Sequence, residues 1–340
     1  LVVRQLDNHH VRHTLHSVCG EPTTDFVWSG VEKARDCGCD LVVGIGGGSV
    51  LDTGKVIAAM LANGGVLMDY LEVVGAGREL TRMSAPYIAV PTTAGTGAEV
   101  TRNAVLESPA HGVKVSMRSP FMLPRLAVVD PQMTYSMPPA LTASTGLDAL
   151  TQLLEAFVSR DANPVTDGIC REGLRRAGRS LANAFEDGGN HAAREDMCVA
   201  SLCGGLALAN ARLGAVHGIA GPFGGMFKAP HGAVCGRLLP FVMATNVAAL
   251  RQRAADSIAL ARFDEAARLL AGDERPVAED GIAWLQALCE RFALPPLSAY
   301  GFSKPHAADL IAKSLKSSSM RGNPIELTAA ELESVLKRSK

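Results

Sequence analysis

The stretch DLVVGIGGGSVLDTGKVIAAML, residues 40–61, decides the fold. Its first part, Asp40 to Ile45, is a short apolar run that ends in glycine and reads as a strand. Gly46 to Ser49 reads as a loop, and Val50 to about Leu61 has helical spacing. That succession brings bare backbone amides and the positive end of a helix dipole to one spot, which suits a pyrophosphate. A purely structural turn needs one or two glycines, whereas three in a row before Ser49 favour phosphate. The spacing matches neither the Gly-x-Gly-x-x-Gly fingerprint nor a Walker loop, so no standard dinucleotide or kinase site follows from these residues alone.

Outward from this unit, strand-like and helix-like segments alternate between Thr24 and Asp130, the mark of an α/β layer on a mainly parallel sheet. The pattern predicts a helix over Asp25 to Cys37 and strands at Tyr87 to Val90, Glu99 to Leu106, Val113 to Met117 and Leu126 to Val129. PTTAGTGAEVT, residues 91–101, concentrates small residues and hydroxyls where the chain leaves the carboxyl end of a strand, the place where open α/β sheets bind ligands. A loop of Ser/Thr turns is the plainer reading; a second loop on the same sheet edge as Gly46 to Ser49 favours a shared ligand. After Asp130 and Pro131 the pattern turns helical, opened by Pro138 and Pro139. We therefore expect an α/β dinucleotide-binding domain over residues 1–135, its first strand unit incomplete, and an all-helical metal and substrate domain over 136–340. Its expected helices are Pro139 to Ser159, Pro164 to Glu186, Ala192 to Ala215, Ala233 to Val247, Ala248 to Leu270 and Gly281 to Phe292. Thr328 followed by Glu331 has capping-box spacing and opens a final helix to Lys337.

With 33 Lys plus Arg against 34 Asp plus Glu, a formal net charge of −1 argues against nucleic acid or an anionic membrane surface as the main partner. A small molecule fits better. At 340 residues, 47% of them hydrophobic, the chain can bury the cores of two domains. Eight cysteines scattered over that length do not form a disulfide framework, and a reducing cytoplasm is expected. Cys37 and Cys39, one residue apart, read as ordinary thiols. His9, His10, His13 and His16 crowd the start with nothing acidic or thiol-bearing to fix a geometry, and read as a solvated helix face. No secretion signal is expected; the chain opens on Leu1 rather than Met, and an upstream segment is expected to be missing. Met197 to Phe227 resembles a membrane span, but Asn210, Arg212 and His217 interrupt it, so it reads as a buried helix followed by a turn.

Asp148 and Gln152 stand four apart on a predicted helix and share a face. His217 and His231 are each followed by glycine and flank a loop containing Pro222, Gly224, Gly225 and Pro230. One carboxylate and two imidazoles are donor types that hold a divalent cation and leave a position for substrate. Pair by pair the signal is weak, because a single buried histidine is usually a satisfied core residue and an aspartate also caps helices.

Taken together, five motifs resemble the iron-containing alcohol dehydrogenase family: GGGS with Asp52 and Lys55, PTTAGTGAEVT, VDP at 129–131, GLDAL at 146–150, and VHG with PHG at 216–218 and 230–232. They run in the family's order from about Gly20 to the final helix. The resemblance implies an α/β nucleotide-binding domain plus an all-α C-terminal domain, the dehydroquinate synthase-like fold of iron-containing alcohol dehydrogenases. It implies that Gly47, Gly48 and Ser49 hold the cofactor pyrophosphate with Asp52 in support. Thr92, Thr93, Thr96, Thr101 and Val105 would line the cofactor, and Lys114 would lie near the nicotinamide ribose. Asp148, His217 and His231 would be three of four protein ligands of the metal. Two positions depart from the family pattern. Its His four residues after Asp148 is here Gln152, a candidate fourth ligand whose amide oxygen binds Fe²⁺ or Zn²⁺ more weakly than imidazole. Its proton-relaying His four residues after His217 is here Gly221.

The activity implied is interconversion of an alcohol with an aldehyde or ketone by metal-assisted hydride transfer. Its cofactors are NAD or NADP and a divalent metal, Fe or Zn, whose occupancy Gln152 weakens. Its partners are a small alcohol or aldehyde and a second copy of the chain in a homodimer. One alternative is a maleylacetate-reductase-like or metal-independent reductase of the same superfamily. A dehydroquinate synthase relative is disfavoured by the motifs of the helical half. A catalytically impaired nucleotide-binding protein rests on Gln152 and Gly221. No residue is assigned as catalytic.

Overall fold

The structure, a computed structural model, describes residues 2–340. It opens with a short helix, α1 (Val2–Asn8), that buries no side chain. His9, His10, His13 and His16 lie beyond its end, so the histidine cluster is not a helix face. His16 instead stacks on Phe26 with ring centroids 4.4 Å apart, tying this segment to α2 (Thr24–Asp36). Thr23 caps α2 by accepting the amide of Phe26.

The deciding stretch forms β1 (Val42–Gly46) and α3 (Gly48–Ala62), joined through Gly47. β1 pairs in parallel with β2 (Tyr87–Pro91), and β2 with β5 (Leu126–Ala127). The expected strand at Glu99 begins only at Asn103. Gly97 takes a left-handed φ of 59°, and residues Ala98–Val100 coil into a single 3-10 turn. β3 (Asn103–Ser108) and β4 (Val113–Arg118) then form a separate antiparallel ribbon rather than extending the parallel sheet. Their four-residue connection, with Gly112 at φ 62°, closes a hairpin, and so short a link cannot make a parallel crossover. α2, α3 and the ribbon share one core that includes Val27, Val31, Val56, Met60, Leu106, Val115 and Met117.

These elements make one compact unit, which ends at Val128 and leaves out residues Thr92–Thr101. The expected boundary at residue 135 is thus corrected, and the loop after β2 belongs to the second, helical unit with Val129–Lys340. The cause is a close approach: a methyl group on Gly97 would sit 2.4 Å from the Cα of Gly205. Two glycines face to face let that loop lie directly on a helix.

The helical unit contains α4 (Pro139–Val158), α5 (Pro164–Glu186), α6 (His191–Ala211), α7 (Ala215–Met226) and α8 (His231–Arg253). It continues with α9 (Ile258–Ala271), α10 (Ala278–Arg291), α11 (Ala307–Leu315) and α12 (Ala329–Ser339). α4 is buried on nearly every side from Gly146 onward, as a central helix must be. Its Leu147, Leu150, Leu153 and Phe157 join Leu174 and Leu181 of α5 and Leu238 and Val242 of α8 in one core. The predicted helix to Ala215 stops at Ala211 because Arg212 adopts a φ of 59°, and α7 leaves at a bend of 99°. Met197 to Phe227 is therefore two helices, not a helix and a turn. The predicted break at Val247 is absent: α8 runs on to Arg253, and Ser257 caps α9 by accepting the amide of Ala259. Among the described residues α8 is long and apolar enough to cross a membrane, but 72% of its most apolar stretch is buried against the rest of the helical unit.

Candidate metal centre and cofactor loops

Asp148, Gln152 and Glu155 follow one another along α4 at spacings of four and three, so one helix face carries all three. Glu155 is buried, with its side chain 1% exposed, and satisfies the opening turn of α7. Its Oε1 accepts the amide of Val216 at 2.6 Å, and its Oε2 accepts the amide of His217 at 3.4 Å and the Nδ1–H of the same residue at 2.6 Å. With Nδ1 so held, the other ring nitrogen of His217, Nε2, faces Asp148 Oδ1 at 3.3 Å. His231, the first residue of α8, places its Nε2 3.8 Å from the same oxygen. Gly232 permits this approach, since a methyl there would lie 2.0 Å from the carbonyl oxygen of Ser144 on α4. The structure thus brings together the three residues that the sequence singled out on one predicted helix and in two His-Gly motifs.

A fourth donor lies among them. One donor atom each from Asp148, His217, His231 and Cys235 fall within 4.8 Å of one another. Cys235 is fully buried, with Sγ 3.6 Å from His231 Nε2. Sequence reasoning missed it and Glu155, although each sits at a helical spacing from a named residue: four after His231 and seven after Asp148.

The electrostatics favour charge. Burial pushes the carboxyl of Asp148 up, but the hydrogen bond from His217 and the charge of His231 outweigh it, and the group lies below the usual range. Burial pushes His217 down, yet Cys235, Asp148 and Glu155 hold it well above an ordinary imidazole. His231 is raised chiefly by Cys235. The thiol of Cys235 is raised by burial and lowered further by the two histidines. Anionic donors thus gather positive charge at one buried point, and a dication supplies that charge when it displaces the protons.

Gln152 behaves differently. Its Nε2 donates to the carbonyl of Thr96 at 3.4 Å, and its amide helps to lower the carboxyl of Asp148. Its buried Oε1 has no hydrogen-bond partner among the described residues and lies against α6, where a methyl on Gly204 would be 2.8 Å away.

The cofactor candidates fall into two groups. In the α/β unit, Gly46 and Pro91 are register partners, so β1 and β2 end side by side. Gly47 caps α3, and Gly48 and Ser49 form its first turn, whose amides have no partner within the helix. The oxygens of Asp52 are engaged: Oδ2 accepts the amide of Val105 at 2.9 Å and Oδ1 faces the buried Lys55 at 3.1 Å. Asp52 therefore anchors β3 to α3, and the amide of Val105 is taken. Lys114 pairs with Glu21 at 3.0 Å. In the helical unit, Thr92 and Thr93 are half-buried. Thr96 Oγ1 accepts the amide of Ala98, and the buried Thr101 donates to its carbonyl.

Known proteins resemble the chain in sequence and in fold. Residues 1–131 match the family model for iron-containing alcohol dehydrogenase, and residues 142–340 match that for the family's C-terminal region. The long-chain-alcohol dehydrogenase 1 of Geobacillus thermodenitrificans is 39% identical over 79% of this chain and 70% of its own length. Alcohol dehydrogenase 4 of Saccharomyces cerevisiae is 33% identical over 94% of this chain and 80% of its own. The structure of a 1,3-propanediol oxidoreductase superposes with a TM-score of 0.89 at 33% identity, covering 99% of this chain and 88% of that one. A sulfoacetaldehyde reductase of Bifidobacterium kashiwanohense, solved in complex with NAD⁺, does so at 0.85 and 29%, over 99% and 88%. On these grounds the chain belongs to the iron-containing alcohol dehydrogenase family and is an NAD(P)-dependent oxidoreductase of alcohols and aldehydes.

Proposed function

We propose that Asp148, His217 and His231 hold a divalent iron or zinc at which a small alcohol and its aldehyde or ketone are interconverted with NAD or NADP. The observation that carries this reading is the convergence of three donors on one point, Asp148 and His217 buried and His231 half-buried, with Asp148 Oδ1 3.3 and 3.8 Å from the two imidazole nitrogens. Their chemistry fits such an ion. When bound, the metal supplies Lewis acidity toward the substrate oxygen.

The rest falls to the chain's own residues. Glu155 holds Nδ1 of His217 and so keeps the Nε2 lone pair available as a ligand. Asp148, almost fully buried, offers negative charge where water is largely excluded. Gly221 offers no side chain that could carry the alcohol proton away, so a relay would have to come from solvent. The first-turn amides of α3 at Gly48 and Ser49 suit the pyrophosphate, with Asp52 bracing the helix from β3. Lys114, Val105 and the threonines 92, 93, 96 and 101 remain the proposed lining of the dinucleotide site. The same reading takes a cytoplasmic homodimer as the working form, with eight free cysteines in keeping with a reducing compartment.

The test pairs metal analysis with nicotinamide absorbance over a series of short alcohols and aldehydes. Metal-stripped protein should regain turnover on adding Fe²⁺ or Zn²⁺, and His217→Ala and His231→Ala should lose both metal and turnover while keeping their helical content. Undiminished turnover in metal-free protein and in both variants would reject the reading.

A further inference from the structure

Cys235 is the donor that nothing in the motif pattern assigns. It stands one helical turn after His231 on α8, so both side chains project from the same face toward α4. Regular tetrahedral coordination, with metal–N or metal–O bonds of 2.0–2.2 Å and a metal–S bond of 2.3 Å, sets donor–donor edges of roughly 3.3–3.5 Å between N and O and about 3.6 Å between N and S. The observed separations are 3.3 Å for His217 to Asp148, 3.8 Å for His231 to Asp148 and 3.6 Å for His231 to Cys235. Two of these edges already have the size that one ion requires, and the third, from His231 to Asp148, is about 0.3 Å longer.

Gln152 is placed for another task. Its amide N–H side faces the carbonyl of Thr96 and the carboxylate of Asp148, while its oxygen is turned to Gly204 on α6. Ligation through that oxygen would require the amide to turn over and give up its hydrogen bond to Thr96.

We propose that Cys235 is the fourth protein ligand of the metal, replacing from α8 the donor that α4 lacks at Gln152, and that the resulting Asp-His-His-thiolate set prefers zinc to iron. This rests on the reading of Asp148, His217 and His231 as a metal site. The preference follows from the softness of thiolate, which suits Zn²⁺ better than an all N/O set does. On binding, the S–H bond of Cys235 breaks, its proton passes to solvent, and the sulfur lone pair forms the metal–sulfur bond. Gln152 then acts through Asp148, fixing the orientation of that carboxylate.

X-ray absorption of the zinc-loaded wild-type protein, bound at one equivalent, decides the question without any variant. One sulfur scatterer at about 2.3 Å beside nitrogen and oxygen at about 2.0–2.2 Å supports the assignment. A shell of nitrogen and oxygen alone overturns it and leaves the Asp148, His217 and His231 site standing. Failure of the wild-type protein to bind zinc or iron overturns both. Cobalt loading gives a second readout: a near-ultraviolet thiolate charge-transfer band that disappears in Cys235→Ser and persists in Gln152→Ala. Zinc affinity should fall in Cys235→Ser by more than the 10–100-fold, as an order of magnitude, that losing an outer-sphere partner causes, and should change far less in Gln152→Ala. A band that survives in Cys235→Ser belongs to another cysteine and refutes the proposal.

Discussion

Exchanging Glu155 for glutamine separates folding from metal binding, because the two oxygens of this carboxylate have different duties. Oε1 takes the amide of Val216, while Oε2 takes Nδ1–H of His217. An amide has one accepting end and one donating end. With its oxygen toward Val216, its NH₂ meets Nδ1 of His217, which must then accept and carry its proton on Nε2. That proton keeps the bond to Asp148 Oδ1, 3.3 Å away, that the charged His217 of the metal-free protein already makes, so what is lost is the charge-assisted bond to Glu155, about 1.5–3 kcal/mol. The ligand lone pair, however, is gone. With the amide turned over, its NH₂ faces the buried amide of Val216, donor against donor, at a further cost of about 1–3 kcal/mol. The first arrangement is cheaper, and it is the one that blocks the ion. Zinc affinity in Glu155→Gln should therefore fall by about 10–100-fold, or roughly 1.4–2.7 kcal/mol, with a smaller drop in the melting temperature than Glu155→Ala shows. Glu155→Ala should damage both, since the buried donors of Val216 and His217 lose their acceptor at about 1–3 kcal/mol each. Calorimetric zinc titration and thermal melts of the metal-free proteins read the two effects separately. Wild-type zinc affinity in Glu155→Gln would refute the claim that Glu155 sets the tautomer of His217.

Gly97→Ala should destabilise the helical unit by roughly 2–5 kcal/mol, combining about 1–2 for a left-handed alanine with about 1–3 for overpacking against the Gly205 backbone, as measured by denaturant titration. Asp196 accepts hydrogen bonds from Arg176, Arg179 and Ser180; burial raises its carboxyl, and the Arg179 and Ser180 bonds and both arginine charges lower it further, so its folded value lies below its unfolded one. The stability it contributes is present above the unfolded value near 3.9 and disappears as pH falls through the folded one, so the melting-temperature gap between wild type and Asp196→Asn should be constant near neutrality and narrow on acidification below about pH 4. Gly48→Asp should abolish NAD(P) binding by calorimetry while leaving the circular dichroism spectrum unchanged, because it sets a carboxylate at the amides of the first turn of α3.

How far the chain could be read without its tertiary structure depends on the range of the interactions involved. The strand, glycine loop and helix of residues 40–61 were plain because periodicity and glycine act locally, and β1 and α3 end within two residues of their expected limits. α5 matches its expected limits at Pro164 and Glu186, since Asn163 accepts the amides of Val165 and Thr166 and Pro164 fills the first position. Thr328 and Glu331 close the capping box that their spacing announced. Asp148, His217 and His231 were legible as donor types on helices and tight turns. The rest required distant segments to be placed. The loop at residues 92–101 joins the helical unit because Gly97 meets Gly205, more than a hundred positions away, and no local pattern records that meeting. Glu155 has the composition of a surface glutamate, yet it is buried, because the start of α7 offers amides that only a carboxylate from α4 reaches. Cys235 looked like one thiol among eight until α8 lay against α4. Sequence determined which residue types lie on which helix face, since 3.6 residues per turn is a property of the backbone. Tertiary packing alone decided which faces meet, since that depends on burial summed over the whole helical core.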